Sequence, residues 1–129
     1  MTIAITPFYA ASVLFIYLAL SMRVIEFRRT FRIYDGDEGN PSLIRRMRAQ
    51  ANCAEYAPIG LVLLLMLELQ GWPPLFVHAL GACLLLGRAS HAYGVISKPI
   101  NFTMRNLGML LTFAQIIATC ALLVVRALM

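Results

Sequence analysis

Charge is scarce in this chain, and acidic charge most of all. Charged residues make up 13% of the 129 residues, six of them acidic. A soluble domain carries about 25%, so the shortfall argues against one. Low-complexity tracts and internal repeats are missing as well, which removes disordered-linker and solenoid readings. Cysteine is limited to Cys53, Cys83 and Cys120. The count is odd and no pair has metal-ligand spacing, which argues against a disulfide framework and leaves no metal site to propose. All three read as small apolar packing residues.

What remains is apolar. Sixty per cent of residues are hydrophobic and the mean hydropathy is +0.77. Charge-free stretches run Met1–Met22, Leu69–Gly87 and Asn106–Val125, and Ala49–Leu67 is broken only by Glu55. Each has 19 to 22 residues, and roughly 20 helical residues cross a hydrocarbon core. A signal peptide combines a basic start with a shorter apolar core. Met1–Met22 has neither and reads as a retained span. The predicted architecture is all-α: one domain, an integral membrane antiparallel four-helix bundle, with spans over 3–32, 42–69, 74–96 and 103–127. Asp35–Pro41 is a cluster of turn formers and reads as the first loop. Ser42 is the expected N-cap of the second helix, and Pro73-Pro74 the start of the third. Small residues along span three (Ala79, Gly81, Ala82, Gly87) and span four (Gly108, Ala114, Ala118) permit close packing, inside the bundle or between subunits.

Basic residues fix the expected orientation. Seven of the eleven lie between spans one and two: Arg23, Arg28, Arg29, Arg32, Arg45, Arg46 and Arg48. Arg88, Lys98 and Arg105 flank the connection between spans three and four, whereas Gln70–Pro74 has none. The positive-inside rule places both basic connections in the cytoplasm and both termini opposite. The basic residues flank spans instead of forming a soluble patch, so nucleic acid is not an expected partner.

The second span carries charge into the bilayer, at roughly 2.5–3.5 kcal/mol per charged residue. At 100° per residue, setting Arg48 at zero puts Asn52 at about 40°, Glu55 at about −20°, Arg45 at about 60° and Tyr56 at about 80°. These form one stripe. Gln50, at about 200°, faces a different neighbour. Glu55 at this depth must be protonated, paired with a cation, or bound to a cationic ligand group. Arg28 and Arg29 end span one at the same level, Arg88 and His91 end span three there, and Arg105 begins span four. Crowded guanidinium groups repel unless anions intervene, so the simplest account is a small polyanionic ligand. Elsewhere, His78 reads as a structural hydrogen-bonder, Glu68 as a solvated residue by the far turn, and Glu26 as a helix-surface partner of Arg23 or Arg29.

Arg48-Ala49-Gln50-Ala51-Asn52-Cys53-Ala54-Glu55-Tyr56-Ala57-Pro58 resembles the signature of the membrane-associated proteins in eicosanoid and glutathione metabolism, the MAPEG family. The variant with Gln50, Asn52-Cys53 and Glu55-Tyr56 looks most like the branch that forms cysteinyl leukotrienes. Phe27–Arg32 resembles the end of that branch's first helix, and Arg88-x-x-His91 with Arg105 is similar to the prostaglandin E synthase branch. The resemblance covers the whole chain. It implies a homotrimer in the lipid bilayer, with glutathione as cosubstrate bound between subunits and transferred to lipophilic electrophiles. By position, Arg48, Asn52, Glu55 and Tyr56 would bind glutathione from one subunit, and Arg28 and Gln50 from the next. Arg88 and His91 would add contacts from span three. Arg105 matches the arginine set on the thiol, with Lys98 as the alternative. Arg29 matches a second catalytic arginine, and Arg28 and Arg29 are interchangeable by one residue in this alignment. Two positions depart from the pattern: Val95 replaces a tyrosine, and His91 stands where the leukotriene branch has one.

The ligand chemistry is complementary to this set. Glutathione carries two carboxylates, one ammonium and a thiol. The arginines suit the carboxylates and Glu55 suits the ammonium. A free thiol titrates near pH 8.5, and an adjacent arginine lowers an acid by about 1–3 units, which makes thiolate the major form at neutral pH. Two other classes compete: a non-catalytic lipid-binding membrane protein, and a small transporter using Glu55 as carrier. The excess of arginine at the level of Glu55 argues against cation passage.

Overall fold

The charge-poor stretches fold into four helices: α1 (Ile5–Phe31), α2 (Pro41–Leu69), α3 (Pro74–Ile96) and α4 (Phe102–Leu128). The structure is a computed structural model that describes residues 3–129. Met1 and Thr2, which open the first charge-free stretch, lie outside the described residues. All four helices are long and apolar enough to cross a membrane. The shortest has 23 residues, which at 1.5 Å per residue extends roughly 35 Å, more than a hydrocarbon core.

Local sequence explains most helix ends. α1 stops at Arg32, which takes a left-handed conformation (φ 55°). The Ile33 N–H then returns to the Arg28 carbonyl at 3.0 Å, and the Ile33 side chain packs with Val24 and Leu43. This is the usual pairing of a C-terminal backbone bond with an apolar contact. α2 begins two residues earlier than a Ser42 cap would set it. Asn40 is the cap, its Oδ1 accepting from the N–H of Ser42 at 3.0 Å and of Leu43 at 3.2 Å. Pro41 follows it at the first helical position, where its missing N–H costs nothing. Asn101 caps α4 by accepting from Met104 N–H at 3.0 Å.

The other end of the bundle holds a contact that local sequence does not announce. Glu68, expected to be solvated, accepts three backbone N–H groups at the start of α1: Ala4 and Ile5 at 2.8 Å on Oε1, and Thr6 at 2.7 Å on Oε2. The first N–H groups of a helix have no internal partner and carry partial positive charge. A carboxylate brought from the end of α2 satisfies both needs. The start of α1 and the Gln70–Pro73 turn therefore share one end, and the arginine-rich connections share the other.

The interior is layered along the bundle axis. Tyr9, Leu64, Leu67 and Val77 pack near the Glu68 end. Val13, Leu20, Ala49, Cys53, Ala57, Ala92 and Val95 fill the middle. Val24, Ile33 and Leu43 close the basic end. His78 bonds as expected: Tyr9 Oη lies 3.2 Å from its Nδ1 and donates to its carbonyl at 3.1 Å. Large apolar side chains such as Phe15, Leu75, Leu110 and Ile117 point outward, as a lipid-facing surface requires.

The glycines settle what part of the small-residue pattern does. A Cβ on Gly108 would meet the Gly87 carbonyl at 2.6 Å, and one on Gly94 would run into the backbone N and Cα of Arg105. α3 and α4 thus approach closely inside one chain. Ala79, Ala114 and Ala118 face outward.

Candidate functional site

The polar stripe of α2 opens onto a cavity of about 280 Å³ at the basic end. Arg45, Arg48, Asn52 and Glu55 form one wall, His91 comes from α3, and Arg105 comes from α4. The angular argument from sequence put five α2 residues on one stripe; four of them line this wall, and Tyr56 does not. Val95, the position of the missing tyrosine, adds an apolar patch. Tyr93 points outward and is exposed.

Three guanidinium groups share this space with one carboxylate. Arg45 and Arg48 lie in the first turns of α2, and Arg105 lies in the first turn of α4. The start of a helix is its positive end, so cations there are disfavoured unless something else holds them. The three guanidinium groups make this a cationic wall, with the negative C-terminal end of α3 beside it at Val95. Glu55, exposed on the single chain, is the one acidic group among the described residues lining it.

Arg105 owes its position to two backbone facts. Asn101 donates its N–H to the Gly94 carbonyl at 3.0 Å, tying the α3–α4 connection to α3. Gly94 then lets the Arg105 backbone pass without a side chain between them. Lys98, the alternative thiol activator, lines a different and smaller pocket with Arg23 and Arg46.

Arg88 sits behind the cavity, inside the bundle. It is 1% exposed. Its Nη1 donates to Asn52 Oδ1 at 2.7 Å, and its Nε and Nη2 donate to Thr112 Oγ1 at 3.0 and 2.6 Å. Its guanidinium carbon lies 5.7 Å from the centre of the Tyr56 ring. The Thr112 hydroxyl donates in turn to the Gly108 carbonyl at 2.8 Å. With its proton committed there, both its lone pairs are free for Arg88. Neutral acceptors therefore hold a buried cation, and Asn52 links it to the cavity wall. The expectation of an arginine from every helix at one rim differs from this arrangement, because the α3 arginine is turned into the interior.

The remaining expected residues are spread more widely. Tyr56 stacks edge-on against Phe113 of α4, with ring centres 5.4 Å apart. Gln50 faces α1, where its amide donates to Ser21 Oγ at 3.2 Å and Tyr17 Oη at 3.5 Å. Arg28 donates to the Ile33 carbonyl at 3.4 Å and contacts Met47 Sδ at 3.4 Å. Arg29 is exposed at the end of α1. Arg28, Arg29 and Gln50 do not line the Glu55 cavity of the same chain.

Sequence reasoning overlooked the polar face of α4. Thr112, Gln115 and Thr119 are fully buried. Gln115 donates to the Gly60 carbonyl at 3.2 Å and to Thr119 Oγ1 at 3.2 Å. Their spacing of three and four residues is one helical face and was a usable signal.

Comparison with known proteins agrees with the motif. The model of the MAPEG family matches residues 6–125. Inner membrane protein YecN of Escherichia coli strain K12 is 34% identical over 119 residues, covering 92% of this chain and 85% of that protein. YecN of Escherichia coli O6:H1 matches with the same figures. A family match over nearly the full length, on a fold of four membrane-length helices, makes this chain a member of the MAPEG family.

Proposed function

We propose that this protein is a glutathione-dependent transferase or peroxidase acting on lipophilic electrophiles. One observation carries the reading: Arg45, Arg48, Arg105 and Glu55 share one cavity. Three cations and one carboxylate are the complement of a ligand with two carboxylates and one ammonium. The thiol of a ligand so held lies in a field that favours thiolate, the attacking species. Asn52 is fixed by Arg88 through its carbonyl oxygen, which leaves its amide N–H groups to donate to the ligand.

In this reading the active unit is a homotrimer. Glu55 is exposed on the single chain, and an uncovered carboxylate in a membrane span is costly. A neighbouring subunit and bound glutathione together would cover it, with Arg28 and Gln50 reaching the ligand from the neighbour and Arg29 as a second catalytic arginine. The basic end faces the cytoplasm, following the positive-inside rule. The motif variant resembles that of the branch that forms cysteinyl leukotrienes.

A second reading has its own observation. Leu14, Tyr17, Ala54, Ala57 and Pro58 line an apolar groove of about 350 Å³ between α1 and α2. Taken alone, the groove suits a lipid-binding protein without chemistry.

Calorimetric titration of the detergent-extracted protein with glutathione separates the two. The transferase reading expects saturable binding that Glu55→Gln weakens by roughly 30-fold or more, the lower end for losing one partner of a desolvated charge pair. Absence of binding to the wild-type protein rejects the transferase reading. Unchanged binding by Glu55→Gln rejects the assigned ammonium partner.

A further inference from the structure

A second basic pocket lies beside the first, within one chain. Arg23 of α1, Arg45 and Arg46 of α2, and Lys98 of the α3–α4 connection line it together with Ser42. None of the described residues lining it is acidic. Glu26, one turn beyond Arg23, is exposed and does not line it. Four cations from three segments of the chain thus converge without a counter-charge in the wall.

One of these groups is held in place, and another lacks a partner. Arg46 donates from Nη1 to the Arg23 carbonyl at 3.3 Å and lies 5.0 Å from the centre of the Phe27 ring. Its charge is thereby fixed against α1. The Nε of Arg23 is buried and has no hydrogen-bond partner. Buried N–H groups nearly always have one, so this donor calls for an acceptor that the chain does not supply. The pocket holds about 30 Å³, against about 280 Å³ for the neighbouring cavity. It is too small for a tripeptide and suits a single oxyanion group whose remaining atoms extend outward. It also lies at the end of the spans, where lipid headgroups sit, and basic pockets between transmembrane helices bind lipid phosphates.

We propose that this pocket binds a phosphoryl oxyanion, supplied by an anionic phospholipid headgroup or by free phosphate. Arg23 and Arg46 contribute forked N–H donors, Lys98 a mobile ammonium, and Ser42 a hydroxyl. The inference stands apart from the glutathione reading, although Arg45, Ala49 and Val95 line both cavities.

The test is lipid retention by the full-length protein. Protein in nanodiscs of phosphatidylcholine with phosphatidylglycerol is extracted, and retained phospholipid is counted by native mass spectrometry. Inorganic phosphate is titrated in parallel by ³¹P line broadening in lipid-free detergent. The wild-type protein should retain phosphatidylglycerol over phosphatidylcholine. Arg23→Gln and Lys98→Gln should each lower that retention roughly fivefold. Lys98 is exposed, so its variant folds even if Arg23→Gln does not. Arg126→Gln removes the same charge near the C-terminus and should retain lipid as the wild type does. Loss of phosphate broadening in both pocket variants, with lipid retention unchanged, would identify free phosphate as the source. Wild-type behaviour of both variants in both assays overturns the proposal, as does an equal loss in Arg126→Gln. Failure of glutathione to bind leaves these results standing, so the two readings fail separately.

Discussion

Arg88 Nη1 donates to Asn52 Oδ1 at 2.7 Å, which ties a buried cation to a residue of the cavity wall. The other large share of Arg88's bonding falls on Thr112, which accepts from two of its nitrogens. Thr112→Val keeps the volume and removes that acceptor. Leaving buried donors unmatched costs about 1–3 kcal/mol, and more for a charged group. Arg88→Met removes the charge along with its donors, so no buried cationic donor is left unmatched. Thermal unfolding in detergent should therefore show Thr112→Val melting below Arg88→Met. The reverse order would mean that the Arg88 charge itself stabilises the bundle.

Glu68 offers a second test. Three N–H groups of α1 share its two carboxylate oxygens. Glu68→Ala should cost about 1–2 kcal/mol, the upper range for loss of a helix cap. Hydrogen exchange localises the effect: amides at residues 4–6 should lose protection while those in the middle of α1 keep theirs. Unchanged exchange at 4–6 would show that water replaces the carboxylate without loss.

Gly94 sets the position of Arg105. A methyl at residue 94 meets the Arg105 backbone, which cannot rotate away as a side chain would. Gly94→Ala should cost about 1–3 kcal/mol of stability through overpacking. It should also weaken glutathione binding by moving the first turn of α4, although residue 94 does not itself line the cavity. A variant with normal melting and normal affinity would show that α3 and α4 separate freely.

Arg105 is the proposed thiol activator, since it shares the cavity with Arg48 and Glu55 while Lys98 does not. Arg105→Ala should raise the pKa of bound glutathione by about 1–3 units. Thiolate absorbance at neutral pH should fall, then recover at high pH. Turnover with a reactive aryl halide should fall in parallel, because thiolate is the nucleophile. If Lys98→Ala gives this result and Arg105→Ala does not, the assignment reverses.

The parts of this molecule legible in its sequence are those governed by neighbours along the chain. Charge-free runs marked the four helices, and a rotation of 100° per residue brought Arg45, Arg48, Asn52 and Glu55 to one wall. The same rotation set Gln50 on another face, which in the structure meets α1. The Asn40-Pro41 pair also held the right answer for the α2 cap, because proline favours the position just after a cap. What stayed hidden depends on distant partners. Glu68 meets residues more than sixty positions away, and nothing beside it in the chain indicates that. Arg88 resembled a rim residue until Thr112 and Asn52 closed around it. A one-dimensional reading locates charge at a depth in the membrane, but it does not say whether the charge turns inward or outward.

The clasp at the start of α1 also bears on how the chain is made. The leading amides of α1 are made more than sixty residues before Glu68, so they must wait for that partner until the second helix is nearly complete. Early in synthesis, water at the membrane surface has to serve them. Once the hairpin closes, the start of α1 is fastened beside the short turn after α2. Anything joined ahead of Ala4 must therefore clear that turn.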